Sequence, residues 1–354
     1  MSKFFSEKYK NLTPYTPGEQ PKERKFIKLN TNESPYPPSK KAIEAATEAA
    51  GRLQLYSDPE AKLLHEKIAV LCSVTPDCVL ATNGSDEILN FAFMAFCDDA
   101  HPAIFPDITY GFYSVFAELN RVPYKTIPLC EDFSINIDDY CNAGGTVFIA
   151  NPNAPTGICL SLDEIEKIVA SNPDNVVVID EAYIDFGGES AVGLTKKYNN
   201  LLVTQTFSKS RSMAGARLGF GVACPELIRD LNTIKYSTNP YNVNSMTMAA
   251  GVGVLSDEEY TKENCKSIID NREYAAAELK ALGFEMTDSK ANFIFAKHPD
   301  IDGGEIYSSL REKGILVRHF TGKRIAQYNR ITVGSREQME ALVSAIKEIL
   351  EEKK

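Results

Sequence analysis

The chain has 354 residues, 44% hydrophobic and 24% charged, which is enough for one large domain and a smaller one. Its formal net charge of −10 argues against nucleic acid or an anionic membrane as partner, while leaving room for local basic pockets that take small anions. The charged start MSKFFSEKYKNL carries no secretory apolar segment, and no apolar run approaches a membrane span, so a cytoplasmic protein is expected. Eight scattered cysteines without a CxxC pair read as reduced, mostly buried side chains, and His65, His101, His298 and His319 have no metal-ligand spacing. No metal site is expected.

The first 40 residues, rich in Pro, Asn and Tyr, predict an extended arm with turns. SKKAIEAATEAAGRL reads as a helix, YSDPE as a turn, and AKLLHEKIAVLCSV as a second helix. From about residue 78 short apolar runs alternate with helical segments. CVLATNGSDEILNFAFMAFC predicts strand, turn and helix; AIFPDITYGFYSVFAEL repeats that order; TVFIANPNAPTG ends a strand in a loop. DEIEKIVASN follows as a helix, and NVVVIDEAY, LLVTQTFSKS and RLGFGVAC as three strands. Strands that are apolar throughout, with helices between them, predict an α/β fold: a mostly parallel central sheet with helices on both faces.

Beyond about residue 255 the pattern changes to a long amphipathic helix, then strands and helices through ILVRHF and NRITVG, which suggests a smaller α+β domain. The expected division is an arm over 1–40, a large domain over 41–250 and a small C-terminal domain over 251–354. The boundary is expected near YSTNPYNVNS, where the periodicity breaks.

In such a sheet function gathers beyond the carboxyl ends of the strands. Four of those ends are polar here: Gly84–Ser85–Asp86, Asn151–Asn153, Asp180–Tyr183 and Ser208–Lys209. Lys209, after an apolar strand, would sit at the edge of a site, where desolvation and a nearby cation free its lone pair to attack carbonyl carbon. Arg217 supplies a fork suited to phosphate, Thr206 and Ser208 add hydroxyls, and Gly215 and Gly219 allow close backbone approach. A lysine after a strand is, taken alone, usually a surface residue. NGSDE lies where a strand turns into a helix, so Gly84, Ser85 and Asp86 can present amides to an anion, although Asp86 also suits a plain N-cap.

The stretch SKSRSMAGARLG resembles the cofactor-lysine motif of fold-type I aminotransferases that use pyridoxal 5′-phosphate (PLP). The resemblance implies that Lys209 carries PLP as a Schiff base and that Arg217 binds its phosphate beside Gly84, Ser85 and Asp86. Asp180 then becomes the carboxylate that keeps the pyridine nitrogen protonated, Tyr183 a donor to the ring oxygen O3′, and Tyr110 the ring-stacking aromatic. Without the lysine motif, two acids at a helix start and a buried core tyrosine are the better explanation of Asp180 and Tyr110. The loop NPNAPTG departs from the family, which has Asn directly before Pro-Thr-Gly; Ala154 stands there, so either Asn153 takes over the contact with O3′ or Tyr183 remains alone.

Within that family the closest resemblance is to histidinol-phosphate aminotransferases, through PYTPGE, KLNTNESPYPPS, LYSDPE, NGSDEIL, TYGFYSV, DEAYIDF, GILVRHF and RITVGSRE. It implies amino transfer from L-histidinol phosphate to 2-oxoglutarate, with Arg330 binding a substrate carboxylate and Arg318 the substrate phosphate. It places Tyr15 and Asn32 at the substrate end, and Tyr56 reaching from a second subunit towards the cofactor phosphate of a homodimer. Two alternatives stay open, a threonine-phosphate decarboxylase-like lyase and an aromatic amino acid aminotransferase. A non-catalytic binding protein on this fold finds no support, since the lysine, the aspartate and both arginines are present.

Overall fold

The computed structural model describes residues 2–21 and 23–353. The extended start includes strand β1 (Ile27–Lys28) and leads to helices α1 (Lys40–Ala50) and α2 (Lys62–Cys72). Ser39 caps α1 by accepting the Ala42 N–H. The main sheet contains β2 (Val79–Thr82), β3 (Ala103–Pro106), β4 (Tyr124–Ile127), β5 (Thr146–Ala150), β6 (Val177–Asp180), β7 (Leu201–Thr206) and β8 (Gly219–Val222). Their order is β2-β8-β7-β6-β5-β3-β4. Helices α3 (Ser85–Phe96), α4 (Phe112–Asn120) and α5 (Leu162–Ser171) connect strands, and α6 (Pro225–Thr238) and α7 (Ser245–Leu255) follow β8.

The apolar runs are explained by burial on both faces. Val177 and Ile179 of β6 join a core with Ile68 of α2 and Ile165 of α5, whereas Val178 joins one with Phe91 of α3 and Phe116 of α4. The same alternation holds along β5 and β7. One strand departs from the parallel expectation: β8 runs antiparallel to both β2 and β7. The residues between β7 and β8 form the loop that bears Lys209 and contain no α-helical crossover, so the chain returns beside β7 in the opposite sense.

The C-terminal part comprises α8 (Glu258–Ala281), β9 (Glu285–Met286), β10 (Phe293–Lys297), α9 (Gly303–Glu312), β11 (Ile315–Leu316), β12 (Arg318–His319), β13 (Asn329–Thr332) and α10 (Arg336–Glu351). Its antiparallel sheet has the order β12-β13-β10-β9. The later part of the N-terminal stretch is packed onto this unit instead of hanging free. β1 pairs in parallel with β11, and buried Leu29 shares a core with Ile294, Ile331 and Met339. An otherwise unpaired strand edge and an apolar side chain are both satisfied by that docking. Residues 30–33 are thereby held opposite the carboxyl ends of β5, β6 and β7, and the site lies between.

Candidate active site

A cavity of about 860 Å³ opens over those strand ends. Of the candidate site residues singled out in the sequence, all line it except Gly84, Asn151, Asn153, Gly219 and Tyr56. Lys209 follows β7, donates from Nζ to the Thr31 carbonyl at 3.3 Å, and lies 5.8 Å from the centre of the Tyr183 ring. Burial, followed by the charge of Arg330, brings its ammonium down to about 8. A free amine is therefore accessible near neutral pH.

Asp180 ends β6 and is buried. Its Oδ2 accepts from the Tyr113 hydroxyl at 3.2 Å, while Oδ1 has no hydrogen-bond partner among the described residues. Burial, then repulsion from Asp86, pushes the carboxyl up to about 7. A buried carboxylate oxygen without a donor is costly, and a cationic N–H placed against it would relieve both the missing bond and the raised pKa.

At the start of α3 no side chain caps the helix, which leaves its first amides open to an anion. Gly84 has φ +76°, and a Cβ there would come within 2.6 Å of the Arg217 guanidinium. A Cβ on Gly219 would likewise meet the backbone of Gly84 and Ser85, whereas Gly215 lines the cavity with open space around it. Arg217 pairs with Asp86 at 3.2 Å, and Asp86 also accepts from the Tyr110 hydroxyl at 2.6 Å. Burial, then Asp86, holds the Tyr110 phenol well above its usual range, so it stays neutral. The Thr206 and Ser208 hydroxyl oxygens are 3.0 Å apart beside this corner.

Across the cavity two arginines face each other in register, Arg318 on β12 and Arg330 on β13. Like charges directly opposite on neighbouring strands are unfavourable unless an anion joins them. Arg330 lies 5.4 Å and 5.8 Å from the ring centres of Phe293 and Phe320; its Nη2 makes a long 3.4 Å bond to the Asn30 carbonyl. Its Nε has no partner among the described residues, and burial draws its pKa below the usual value. Arg318 rests over Phe320 and donates to the Thr16 and Pro17 carbonyls at 3.3 and 3.4 Å. Tyr15, stacked on Phe112 at 4.3 Å, closes this end.

Two residues fall elsewhere. Asn153 is turned away from the cavity, its amide consumed by Ile108, Thr156 and Thr109 at 2.8–3.1 Å; Ala154 forms the wall and has no amide to offer. Both hydrogens of the Asn153 amide are thus spent on Ile108 and Thr156, which bears on the choice between Asn153 and Tyr183 alone that the sequence left open. Tyr56 is 84% exposed and stacks on Tyr241, outside the cavity of its own chain. Asn32 does line the cavity, with its side chain bonded to Tyr183 and Thr332 at 3.0 Å.

Sequence reasoning missed Tyr113, Thr31, Phe320 and Arg324. Arg324 holds the loop after β12 against Asp107 at 3.2 Å and the Leu129 and Cys130 carbonyls at 3.0 and 2.7 Å. Tyr113 sits three residues after Tyr110 in a helical apolar pattern, and nothing local separates it from a core residue.

Known proteins place the chain among relatives with this architecture. The family model for aminotransferase class I and II matches residues 24–346. A histidinol-phosphate aminotransferase of Brachyspira hyodysenteriae is 49% identical over 352 residues, 99% of each chain. The solved histidinol-phosphate aminotransferase of Sinorhizobium meliloti, in complex with pyridoxal-5′-phosphate, aligns with a TM-score of 0.86 at 22% identity, covering 94% of this chain and 93% of that one. The L-threonine-O-3-phosphate decarboxylase of Porphyromonas gingivalis aligns at 0.80 and 21%, covering 92% and 99%. At such identities the structural likeness speaks for the fold alone, and this fold hosts both reactions.

Proposed function

Because the chain belongs to the class I and II aminotransferases, and within them to the histidinol-phosphate aminotransferases, we propose that it transfers the amino group of L-histidinol phosphate to 2-oxoglutarate. The products are imidazole acetol phosphate and L-glutamate, a step of histidine biosynthesis. The observation that carries the substrate reading is the cross-strand pair Arg318–Arg330, two cations in register with backbone carbonyls as their polar contacts. A phosphorylated substrate supplies the dianion that such a pair calls for, and the same Arg330 fork suits the α-carboxylate of glutamate.

The donor set fits pyridoxal phosphate. The unpartnered Asp180 Oδ1 suits a protonated ring nitrogen, and the open start of α3 with Arg217, Thr206 and Ser208 suits the phosphate. Tyr110 offers an aromatic face and Lys209 the amine. When bound, the cofactor supplies an electron sink for the pair left at the substrate Cα. The Lys209 amine would take the Cα proton from the amino donor as general base and, in the second half of the cycle, give a proton to the Cα of the acceptor as general acid, tasks suited to a group near 8. Asp180 keeps the ring nitrogen charged, and Arg318 and Arg330 orient the substrate over Lys209.

The same reading makes the protein a cytoplasmic homodimer with shared sites. Exposed Leu53, Leu55, Tyr56 and Leu63 form an apolar stretch near α2 that a partner subunit covers, bringing Tyr56 to the partner's cofactor phosphate. It also divides the chain into the arm 1–40, a large domain 41–250 and a small domain 251–354.

A half-reaction followed by the cofactor's spectrum tests the proposal, with histidinol phosphate, phenylalanine and threonine phosphate offered in turn. Conversion with histidinol phosphate and loss of all turnover in Lys209→Ala are expected. Carbon dioxide release from threonine phosphate, or preference for phenylalanine, replaces the proposal with one of its rivals.

A further inference from the structure

Residues 30–33 carry a feature that the reaction alone does not demand. Asn32 adopts the left-handed region at φ 55°. In that turn its backbone N–H donates to Thr332 Oγ1 at 2.9 Å, and its carbonyl accepts from Asn292 Nδ2 at 3.0 Å. The Thr332 hydroxyl, having accepted that N–H, gives its own proton to Asn32 Oδ1 at 3.0 Å. With Oδ1 engaged, the amide presents its NH₂ to the Tyr183 oxygen, 3.0 Å away. A flipped amide would leave the Thr332 oxygen accepting twice, with no acceptor for its proton among the described residues.

The direction of this chain has a chemical consequence. A phenol oxygen that accepts a hydrogen bond keeps its own proton for another partner. Among the described residues Tyr183 donates to none, and its ring lies on the cavity wall beside Lys209. We propose that Thr332 and Asn32 are positioning residues, a relay that turns the Tyr183 proton into the cavity and towards the O3′ oxygen of the cofactor. This rests on the pyridoxal-phosphate reading above. The relay gains weight from Ala154, which offers no amide, and from Asn153, whose amide is spent elsewhere. The charged groups facing Tyr183 are Arg330, Asp180, Asp86 and Lys209, and all of them remain in the variants below.

The test reads the bound cofactor, not turnover. A donor at O3′ stabilises negative charge on that oxygen, so it favours the deprotonated form of the cofactor's link to Lys209 and lowers the midpoint of the absorbance titration. Thr332→Val in the reconstituted full-length enzyme is expected to raise that midpoint by about one pH unit, a tenfold change in proton affinity. Thr332→Ser restores it. Tyr183→Phe raises it similarly, and Thr332→Val adds nothing further in the Tyr183→Phe background. Asn32→Gly, which tolerates the left-handed backbone, is the second variant and produces the same rise even if Thr332→Val does not fold.

A midpoint unmoved in the folded variants overturns the relay, as does a Thr332→Val shift of undiminished size in the Tyr183→Phe background. Wild-type protein that develops no absorbance with pyridoxal phosphate overturns the functional reading itself and the relay with it. A normal wild-type spectrum with unmoved variants removes the relay alone.

Discussion

The two walls of the cavity hold their polar groups in different ways. On the main-sheet side short, dedicated contacts prevail: Tyr110 to Asp86 at 2.6 Å, the Thr206 and Ser208 hydroxyls 3.0 Å apart, and Tyr113 to Asp180 at 3.2 Å. On the small-sheet side Arg318 and Arg330 rest on aromatic faces and make bonds of 3.3–3.4 Å to carbonyls. One wall is organised before anything binds, as electrostatic stabilisation of a fixed cofactor requires. The other keeps its strongest donors unspent for an anion that arrives and leaves with each turnover.

That contrast can be broken by mutation. Asp180→Asn keeps the shape but removes the charge opposite the ring nitrogen. On the proposed reading kcat falls on the order of 10²–10³-fold with every amino donor, because the loss lies on the cofactor side. A loss confined to one substrate in steady-state kinetics would place Asp180 on the wrong wall. Arg330→Lys keeps the charge but loses the planar fork. It is expected to cost about 1.5–3 kcal/mol, a fall of roughly 10–100-fold in kcat/KM carried mainly by KM. Its cofactor spectrum should match wild type; a changed spectrum means that the two walls are not separable.

The smallest effect concerns stability and sharpens the comparison at the edge of the main sheet. His65 of α2 accepts the Ala81 N–H of edge strand β2 at 3.0 Å, and burial, followed by the charge of Lys235, lowers it to about 4. The unfolded chain takes up this proton near its ordinary value of about 6.5, before the folded one does. Stability from this group is therefore full above that value and declines as pH falls towards 4, by about 1–3 kcal/mol for a partly exposed ring. Denaturant midpoints at neutral and acid pH should show the decline, and His65→Gln should reduce it. If hydrogen exchange shows β13 opening before β2 in acid, His65 is not the weak point.

The chemistry-bearing strand ends were legible because a parallel sheet writes them locally. An apolar run followed by a polar residue marks a carboxyl end, and Asp180, Lys209 and the Gly84–Asp86 turn each follow such a run. Arg330 was legible only through the resemblance of RITVGSRE to the family, because an arginine at a strand start is by itself equally well explained as an exposed residue. The reversal of β8 was not, because strand direction depends on how a loop closes and not on the composition of the strand. Nor was the fate of Asn153: its amide is as polar in the sequence as in the fold, but packing decided which atoms it met.

What amino-acid order could settle was therefore which groups stand at each strand end and which reaction class they suit. What folding alone could settle was how those groups are aimed. Tyr113 reaches Asp180 across 67 residues, Asn32 reaches Tyr183 across 151, and Thr332 reaches Asn32 across 300. Hydrogen-bond direction is set by which donors and acceptors the closed fold brings within about 3 Å, and no local pattern encodes contacts at that separation.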